Sequence, residues 1–323
     1  MFFMSHPMPN FFVVGAPKAG TTSLYHYLDQ HPDVYMSPIK EPNYFASEIR
    51  PEIFSDEMRP AVDADLRDLQ RYLHGPMTEK RFGGIVTDWD DYLRLFRNVK
   101  AEKAIGEASV CYLWSNTAAA NIRARIPHAK ILMILRDPVD RMFSQYLQMV
   151  SEGRSRITFR QHIENQLTRH HHKLREPHLE LALSPLGFSA ADVERYIDRF
   201  PPENLRIFLY EDYQQQQAQV LAETFRFLGV DAGFAPDTSQ RHLQPRVPRS
   251  LVVGHFLKKT GVWQRGAKLT PTLLRPFLRQ LAVRPRGALQ VSSDDRKFLQ
   301  DRFRDDIRRL EVLLGRDLSA WLQ

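Results

Sequence analysis

Short apolar runs alternate along the chain with longer stretches in which apolar residues recur at helical spacing. The apolar runs at residues 10–15, 130–135 and 205–210 predict buried β-strands, and residues 104–106 predict a weaker one. Helical patterns lie between and after these strands; they cover residues 21–30, 117–125, 138–150, 190–199, 217–228 and 292–314. Buried strands separated by helices are typical of a parallel sheet covered on both faces. The pattern therefore predicts an α/β fold with a central parallel sheet flanked by helices.

Two segments, residues 47–91 and 241–290, do not follow this alternation. Neither is set apart by a linker of the kind that separates independent domains. We therefore expect a single domain over residues 1–323, with both segments inserted around the sheet near the ligand.

Charge is concentrated in the second of these segments. The chain carries 45 Lys and Arg against 38 Asp and Glu, a formal net charge of +7. Residues 241–290 hold 11 basic and no acidic residues, which leaves 34 basic and 38 acidic residues elsewhere. Such a segment favours an anionic partner (a phosphorylated nucleotide, an acidic polymer or a membrane surface), and a solvated basic face is the alternative. It contains no nucleic-acid recognition motif, so we expect no nucleic acid as a partner.

Trp263, Phe277 and the leucines between residues 250 and 283 give the basic segment an amphipathic character. A basic amphipathic helix lies on a membrane surface or covers an acidic or amphiphilic ligand, and core packing is the alternative. Peripheral membrane contact through residues 241–290 is therefore one interpretation of this segment.

Composition favours a cytoplasmic protein. No apolar run approaches the ~18 residues that cross a bilayer, and the first residues lack the basic region and cleavage site of a secretory signal. Cys111 is the one cysteine, so no intramolecular disulfide can form. A single thiol suits a reducing compartment.

The first predicted strand runs into a loop with the features of a phosphate-binding site. Gly15 and Gly20 have the spacing of a nucleotide-binding P-loop, and the loop opens a helix whose N-terminal amides attract anions. In the nucleoside-triphosphatase pattern a lysine follows the second glycine. Thr21 occupies that position here, and the lysine, Lys18, lies inside the loop. The loop therefore predicts anion binding but weakens the case for ATP with magnesium.

A second candidate lies where the strand at residues 130–135 ends. Arg136 follows the strand, and Asp137 and Pro138 are typical N-cap and first residues of a helix. Arg136 is thus expected at the carboxyl edge of the sheet, where open α/β folds bind ligands. Together with Ser144 on the following helix it could hold a phosphate. The alternatives are an ion pair of Arg136 with a neighbouring aspartate and a packing role for Ser144.

These motifs resemble those of the sulfotransferases that use 3′-phosphoadenosine 5′-phosphosulfate (PAPS). The 5′-phosphosulfate loop of that family is similar to residues 15–24, GAPKAGTTSL, and its 3′-phosphate signature to residues 136–146, RDPVDRMFSQY. Residues 31–45 are similar to the Lys-Glu-Pro segment of the carbohydrate (heparan sulfate-type) and bacterial branch. Further similarity lies at residues 106–114, where Val110 replaces the usual proline, and at residues 210–230 and 310–322.

The resemblance implies a P-loop-type three-layer fold and a role for each matching residue. Lys18 would stabilise the departing phosphate, and Glu41 would act as general base. Arg136 and Ser144 would hold the 3′-phosphate. The 5′-phosphosulfate would lie on the loop residues Ala16, Pro17, Lys18, Ala19, Gly20, Thr21, Thr22 and Ser23.

The resemblance implies less specific roles for several other residues. Lys40 would line the acceptor side, and Glu107 is a rival base or an orienting residue. An exposed ion pair with Lys40 is the alternative role for Glu41. Further contacts to the 3′-phosphate could come from Arg241, Arg246 or Arg249, among which the sequence does not choose.

Sulfuryl transfer needs in-line positioning, stabilisation of a departing anion and a base for the acceptor hydroxyl. Because the sulfuryl group carries less negative charge than a phosphoryl group, a lysine and backbone amides can suffice, and no metal is expected. A zinc site on His162, the histidines at 170–172 and His178 is discounted, because consecutive histidines do not share one helix face.

The expected reaction is sulfation of a hydroxyl on a glycan or glycolipid, with PAP (3′-phosphoadenosine 5′-phosphate) as the second product. The acceptor would be recognised by the segments at 47–91 and 241–290. The histidine segment of cytosolic small-molecule sulfotransferases is absent, which favours the carbohydrate branch. Three alternatives stay open: another sulfuryl acceptor, such as a peptide tyrosine or secondary metabolite; a P-loop kinase; and a non-catalytic anion-binding protein.

Overall fold

Five parallel strands form the centre of the fold. The structure is a computed structural model that describes residues 7–168, 189–239, 247–248, 283–284 and 290–323. The sheet has the strand order β2-β5-β1-β6-β7, and two-stranded sheets pair β3 with β4 and β8 with β9. The strands are β1 (Phe11–Gly15), β2 (Val34–Met36), β3 (Ile39–Lys40), β4 (Arg81–Phe82), β5 (Ala104–Ala108), β6 (Lys130–Leu135), β7 (Leu205–Leu209), β8 (Val247–Pro248) and β9 (Val283–Arg284).

Helices flank the sheet and lie in every connection between its strands, which confirms the predicted α/β fold. They are α1 (Thr21–Leu28), α2 (Arg59–His74), α3 (Trp89–Arg94), α4 (Ala118–Arg125), α5 (Pro138–Ser151), α6 (Phe159–Thr168), α7 (Ala190–Ile197), α8 (Tyr210–Gln215), α9 (Gln217–Leu228) and α10 (Ser293–Leu314). Short 3₁₀ turns lie at Pro51–Ile53, Val110–Tyr112, Pro202–Asn204 and Ser319–Leu322.

The register brings the carboxyl ends of three strands together. β1 is wholly buried, and its Val13 pairs with Ala108 of β5 on one side and with Leu132 of β6 on the other. Continuous apolar sequence is what a strand covered on both faces requires, since neither face meets water. Because the strands are parallel, the segments that leave β1, β5 and β6 begin at the same edge of the sheet.

The segment at residues 47–91 contributes to the main core. It contains α2, β4 and α3, and α2 buries Val62, Leu69 and Leu73 in the same apolar cluster as the sheet. The prediction of a single domain with two insertions stays a prediction, because the second segment, 241–290, lies almost wholly outside the described residues.

Several sequence expectations fall on residues that the structure does not describe. They concern the arginines at 241, 246 and 249, the aromatic residues at 263 and 277, and the histidines at 170–172 and 178. Within the described part of the chain, no helix combines the length and the apolar character that a membrane span requires.

Candidate active site

The loop between β1 and α1 forms a cradle whose shape depends on its glycines. Gly20 caps α1 with φ of 87°, and a Cβ there would lie 3.0 Å from Cε1 of Tyr213. A Cβ on Gly15 would lie 2.7 Å from Cβ of Leu113. The first turn of α1 contains no acidic residue, and its first amides have no partner within the helix. This end of the helix is therefore suited to an anion.

Lys18 lies inside this loop in the left-handed region, with φ of 64°. Its ammonium donates a hydrogen bond to Oε1 of Gln148 on α5. Gln148 in turn donates from Nε2 to Oε1 of Glu152, at 2.8 Å. The lysine of the loop is thus in contact with the helix that follows Arg136.

Arg136 joins the loop from the neighbouring strand. Its Nη1 donates to the carbonyl oxygen of Lys18 at 2.8 Å, and its guanidinium lies 4.4 Å from the ring centroid of Tyr210. Asp137 and Asp140 pair instead with Arg296 of α10, at 3.3 and 2.5 Å. The structure thus does not support the alternative of an ion pair between Arg136 and a neighbouring aspartate.

The N-terminus of α5 is built as the sequence predicts. Asp137 is the N-cap and accepts a hydrogen bond from the amide of Val139 at 2.7 Å, and Pro138 is the first helical residue. Burial, and secondly the nearby Asp140, raises the pKa of Asp137 to about 6. The cap fixes the point at which the chain turns from Arg136 into the helix.

Ser144 is buried on α5, between Arg141 and Gln148. Arg141 is one turn earlier, and Gln148, which contacts Lys18, is one turn later. Burial, and secondly the nearby Arg136, lowers the pKa of Arg141 to about 10. Residues spaced three and four apart share one face of a helix. Ser144 is therefore on the side of α5 that carries Gln148 towards the loop.

Lys40 and Glu41 lie at the end of β3, beside the end of β5. The amide of Glu41 donates to the carbonyl oxygen of Ala108 at 2.8 Å, and the Lys40 ammonium contacts Oε1 of Glu41. The two side chains are 2% and 13% exposed, so this ion pair is largely buried rather than the exposed pair considered from the sequence. Glu41 has φ of 69°, a conformation that costs roughly 1–3 kcal/mol for a residue other than glycine.

Glu107 is fully buried within β5. Its Oε1 accepts hydrogen bonds from the hydroxyls of Tyr112 at 2.7 Å and Tyr92 at 3.1 Å, and its Oε2 accepts one from Ser109 at 2.7 Å. Burial raises the pKa of Glu107 to about 7, against the opposing effect of these hydrogen bonds. This environment favours an orienting role for Glu107 over contact with an acceptor.

These elements meet where the order of the strands changes direction. β5 and β2 lie on one side of β1, and β6 and β7 lie on the other. A crevice at such a switch point is where open parallel sheets bind their ligands. The loop after β1 and Arg136 after β6 provide the positive side of this edge, and Glu41, held beside the end of β5, provides a carboxylate.

The family model for the sulfotransferase family matches residues 9–235, well over half of the chain. The chain belongs to the sulfotransferase family. This finding confirms the family that the loop and the Arg136 motif predicted, and the matched region contains both.

Known sulfotransferases resemble the chain over most of its length. A crystal structure of a sulfotransferase from Alicyclobacillus acidocaldarius is 33% identical, covers 98% of this chain and 100% of its own, and has a TM-score of 0.68. Human carbohydrate sulfotransferase 15 is 25% identical over 85% of this chain and 53% of its own length. A human bifunctional heparan sulfate N-deacetylase/N-sulfotransferase is 26% identical over 98% of this chain and 31% of its own. The chain thus spans about half or less of the length of the curated relatives it matches.

Two residues of the candidate site were not predicted from the sequence. Gln148 lies four residues after Ser144, so helical spacing alone could have placed it on the same face of α5. Tyr210 could not have been found in this way, because its contact with Arg136 joins the segments that follow β7 and β6, which are distant in the sequence. The site residues assigned by resemblance stay predictions, although the structure brings Arg136 into contact with Lys18, and Gln148, one turn from Ser144, into contact with the same lysine.

Proposed function

We propose that this protein transfers the sulfuryl group of PAPS to a hydroxyl of a carbohydrate acceptor, on a glycan or glycolipid. The observation that carries the proposal is the contact between Arg136 and the carbonyl oxygen of Lys18, at 2.8 Å. The contact holds the guanidinium that follows β6 beside a loop with P-loop spacing whose lysine lies inside it. Such a pair suits a nucleotide with phosphates at both its 5′ and 3′ positions.

The donor lies across the edges of β1 and β6 in this proposal. The loop residues 16–23 and the N-terminus of α1 hold the 5′-phosphosulfate through backbone amides and hydroxyls. Arg136 and Ser144 hold the 3′-phosphate, which distinguishes this donor from ATP. Bound PAPS supplies an activated sulfuryl group, and the remaining chemistry belongs to residues of the chain.

Lys18 neutralises the negative charge that develops on the phosphate side of the bond that breaks. Its ammonium reaches the donor by leaving Gln148, and the loop backbone keeps its Cα in place. A positive group placed at a developing oxyanion accelerates such reactions by about 10²–10³-fold.

Glu41 accepts the proton that the acceptor hydroxyl loses as it attacks. Its carboxylate is paired with the buried ammonium of Lys40, which fixes its direction. The hydrogen bond from its amide to Ala108 ties it to the strand next to β1. The base therefore lies on the opposite side of the loop from Arg136.

A carbohydrate acceptor is supported by the resemblance of residues 31–45 to the Lys-Glu-Pro segment and by the named relatives. One relative is a carbohydrate sulfotransferase and another a heparan sulfate N-sulfotransferase. A cytoplasmic location and membrane contact through residues 241–290 remain part of the proposal. Transfer to a peptide tyrosine or a secondary metabolite would use the same donor site. Only the identity of the acceptor distinguishes these reactions from transfer to a carbohydrate.

The test is transfer of ³⁵S from labelled PAPS to separate probe acceptors: desulfated heparan sulfate, a neutral oligosaccharide, a glycolipid, a tyrosine peptide and 4-nitrophenol. We expect label on a carbohydrate probe, and about 10²-fold or greater loss of it in Glu41→Gln. The matched control is Glu203→Gln, which changes a glutamate near the amino end of β7, away from the site. Label only on the peptide or the phenol would refute the carbohydrate acceptor. Full activity of Glu41→Gln would refute the assignment of the base.

A further inference from the structure

We propose that Glu107 is a positioning residue for Glu41, because it orients the hydroxyls of Ser109 and Tyr112 that hold residues 41–45 in place. The inference rests on the proposed role of Glu41. It assigns Glu107 a function that does not require contact with either substrate.

The segment that carries Glu41 has an unusual backbone. Glu41 and Asn43 both have left-handed conformations, with φ of 69° and 60°. The side-chain amide of Asn43 donates to the carbonyl oxygens of Glu41 and Gly84, both at 2.9 Å. Residues other than glycine rarely adopt this conformation; asparagine does so more readily than glutamate, which keeps it where its surroundings hold it. The position of the Glu41 carboxylate thus depends on what holds Asn43.

Two hydroxyl groups, those of Ser109 and Tyr112, accept hydrogen bonds from the backbone of residues 43–45. The amide of Asn43 donates to Oγ of Ser109 at 3.2 Å, and the amide of Phe45 donates to the hydroxyl of Tyr112 at 3.1 Å. Both hydroxyls donate their own hydrogen to Glu107, at 2.7 Å each. A hydroxyl has one hydrogen, so donating it to Glu107 leaves the lone pairs to face the two amides.

The charge and shape of the carboxyl group matter for this arrangement. Above its pKa of about 7 this group is an ionised carboxylate, which only accepts hydrogen bonds, so both of its oxygens can take a hydroxyl hydrogen at once. A glutamine has the same shape but one accepting oxygen and an NH₂ group. In Glu107→Gln the NH₂ group points a hydrogen at Ser109 or at Tyr112, and that hydroxyl must turn its own hydrogen away from residue 107.

Tyr92 provides a matched control. Its hydroxyl is the third donor to Glu107, at 3.1 Å, and its ring stacks on that of Tyr44. Tyr92→Phe removes a hydrogen bond to the same carboxyl group but keeps the ring and leaves both links to residues 43–45. A purely structural role of the buried carboxyl predicts similar effects of Tyr92→Phe and Ser109→Ala. A positioning role predicts that Ser109→Ala, like Glu107→Gln, loosens residues 43–45 and that Tyr92→Phe does not.

The first test is hydrogen exchange of the backbone amides, which needs no acceptor. We expect Ser109→Ala to lower the protection of amide 43 about tenfold, the effect of losing one buried hydrogen bond. Glu107→Gln should lower, by a similar factor, the protection of amide 43 or of amide 45, depending on which hydroxyl turns away from residue 107. Protection in the loop at 16–24 stays unchanged, and Tyr92→Phe resembles the wild type at all these positions. Unchanged protection at 43 and 45 in Glu107→Gln would overturn the proposal, as would an equal loss in Tyr92→Phe.

The second test separates positioning from donor binding. With the acceptor that the wild type sulfates, Glu107→Gln and Ser109→Ala should lower kcat about tenfold or more and leave the KM for PAPS and the affinity for PAP unchanged. Full kcat in both variants would overturn the proposal while the proposed function stands. A wild type that neither binds PAP nor transfers label would instead refute the proposed function, and the exchange measurement would still decide whether Glu107 holds residues 43–45.

Discussion

Nη1 of Arg136 donates a hydrogen bond to the carbonyl oxygen of Lys18 at 2.8 Å, while the Tyr210 ring lies 4.4 Å from the same guanidinium. The contact joins the end of β6 to the loop after β1. Because Arg136 is fixed by the loop and by an aromatic ring, little side-chain freedom is lost when it binds a phosphate. The two halves of the proposed donor site are thus held together before a ligand is present.

Replacement of Tyr210 tests the preorganisation of Arg136. We expect Tyr210→Leu to weaken PAP binding about 3- to 10-fold, because it removes a cation–π contact from a partly buried arginine. Tyr210→Phe keeps the ring and should bind PAP as the wild type does. Isothermal titration of both variants measures the difference. Equal affinity of Tyr210→Leu and the wild type would show that the stacked ring does not hold Arg136 for binding.

Lys18 should affect transfer more than donor binding. We expect Lys18→Met to lower kcat for sulfuryl transfer about 10²–10³-fold, since the charge it neutralises is largest in the transition state. The control is Lys80→Met, which removes a lysine that pairs with Asp29 beyond the far end of α1. Single-turnover rates with labelled PAPS make the comparison. A Lys18→Met enzyme with a raised KM and normal kcat would contradict the assigned role.

Alanine substitutions at two glycines with positive φ distinguish the cost of steric crowding from the cost of backbone strain. Gly20 has φ of 87° and a Cβ position 3.0 Å from Tyr213, whereas Gly83 has φ of 78° and nothing within 4 Å. We expect Gly83→Ala to lower the free energy of unfolding by about 1 kcal/mol and Gly20→Ala by about 2 kcal/mol or more. Urea denaturation measures both values. Equal losses would mean that Tyr213 moves aside freely.

Burial of Glu107 predicts a pH-dependent stability. Its pKa is raised to about 7 in the folded protein from an ordinary value of 4.5. Its contribution to stability is therefore complete below pH 4.5 and is lost as the pH rises to about 7. Relative to Glu107→Gln, the wild type should lose about 3 kcal/mol of unfolding free energy over this range. Urea denaturation across the range tests the sign, and a difference that is constant or increases with pH would contradict it.

The sequence predicts the fold best where local pattern and tertiary burial agree. The apolar run of β6 predicts its strand to the residue, and α9 likewise matches its predicted range. β2 was missed because three residues give no measurable period. α2 was missed although Val62, Leu69 and Leu73 have the i, i+7, i+11 spacing of an amphipathic helix, because residues 47–91 were interpreted only as an insertion.

Only those parts of the candidate site that lie within continuous sequence motifs could be predicted. The loop and the Arg136 motif are continuous in sequence and were located correctly at one edge of the sheet. The environment of Glu107 was not predictable, because its hydroxyl partners come from residues 92, 109 and 112 in different elements. The left-handed conformation of Glu41 likewise depends on contacts that no local pattern contains.

The central claim is that the chain binds a nucleotide through a 3′-phosphate held by Arg136. The most direct measurement is calorimetric titration of PAP and of ATP, without magnesium, into the wild type, Arg136→Ala and Arg206→Ala. Arg206 is the matched control, because it also stacks on an aromatic ring but lies near the amino end of β7. We predict selective binding of PAP by the wild type and Arg206→Ala, weakened about 10- to 100-fold in Arg136→Ala. Equal or tighter binding of ATP, or binding of neither nucleotide, would contradict the account.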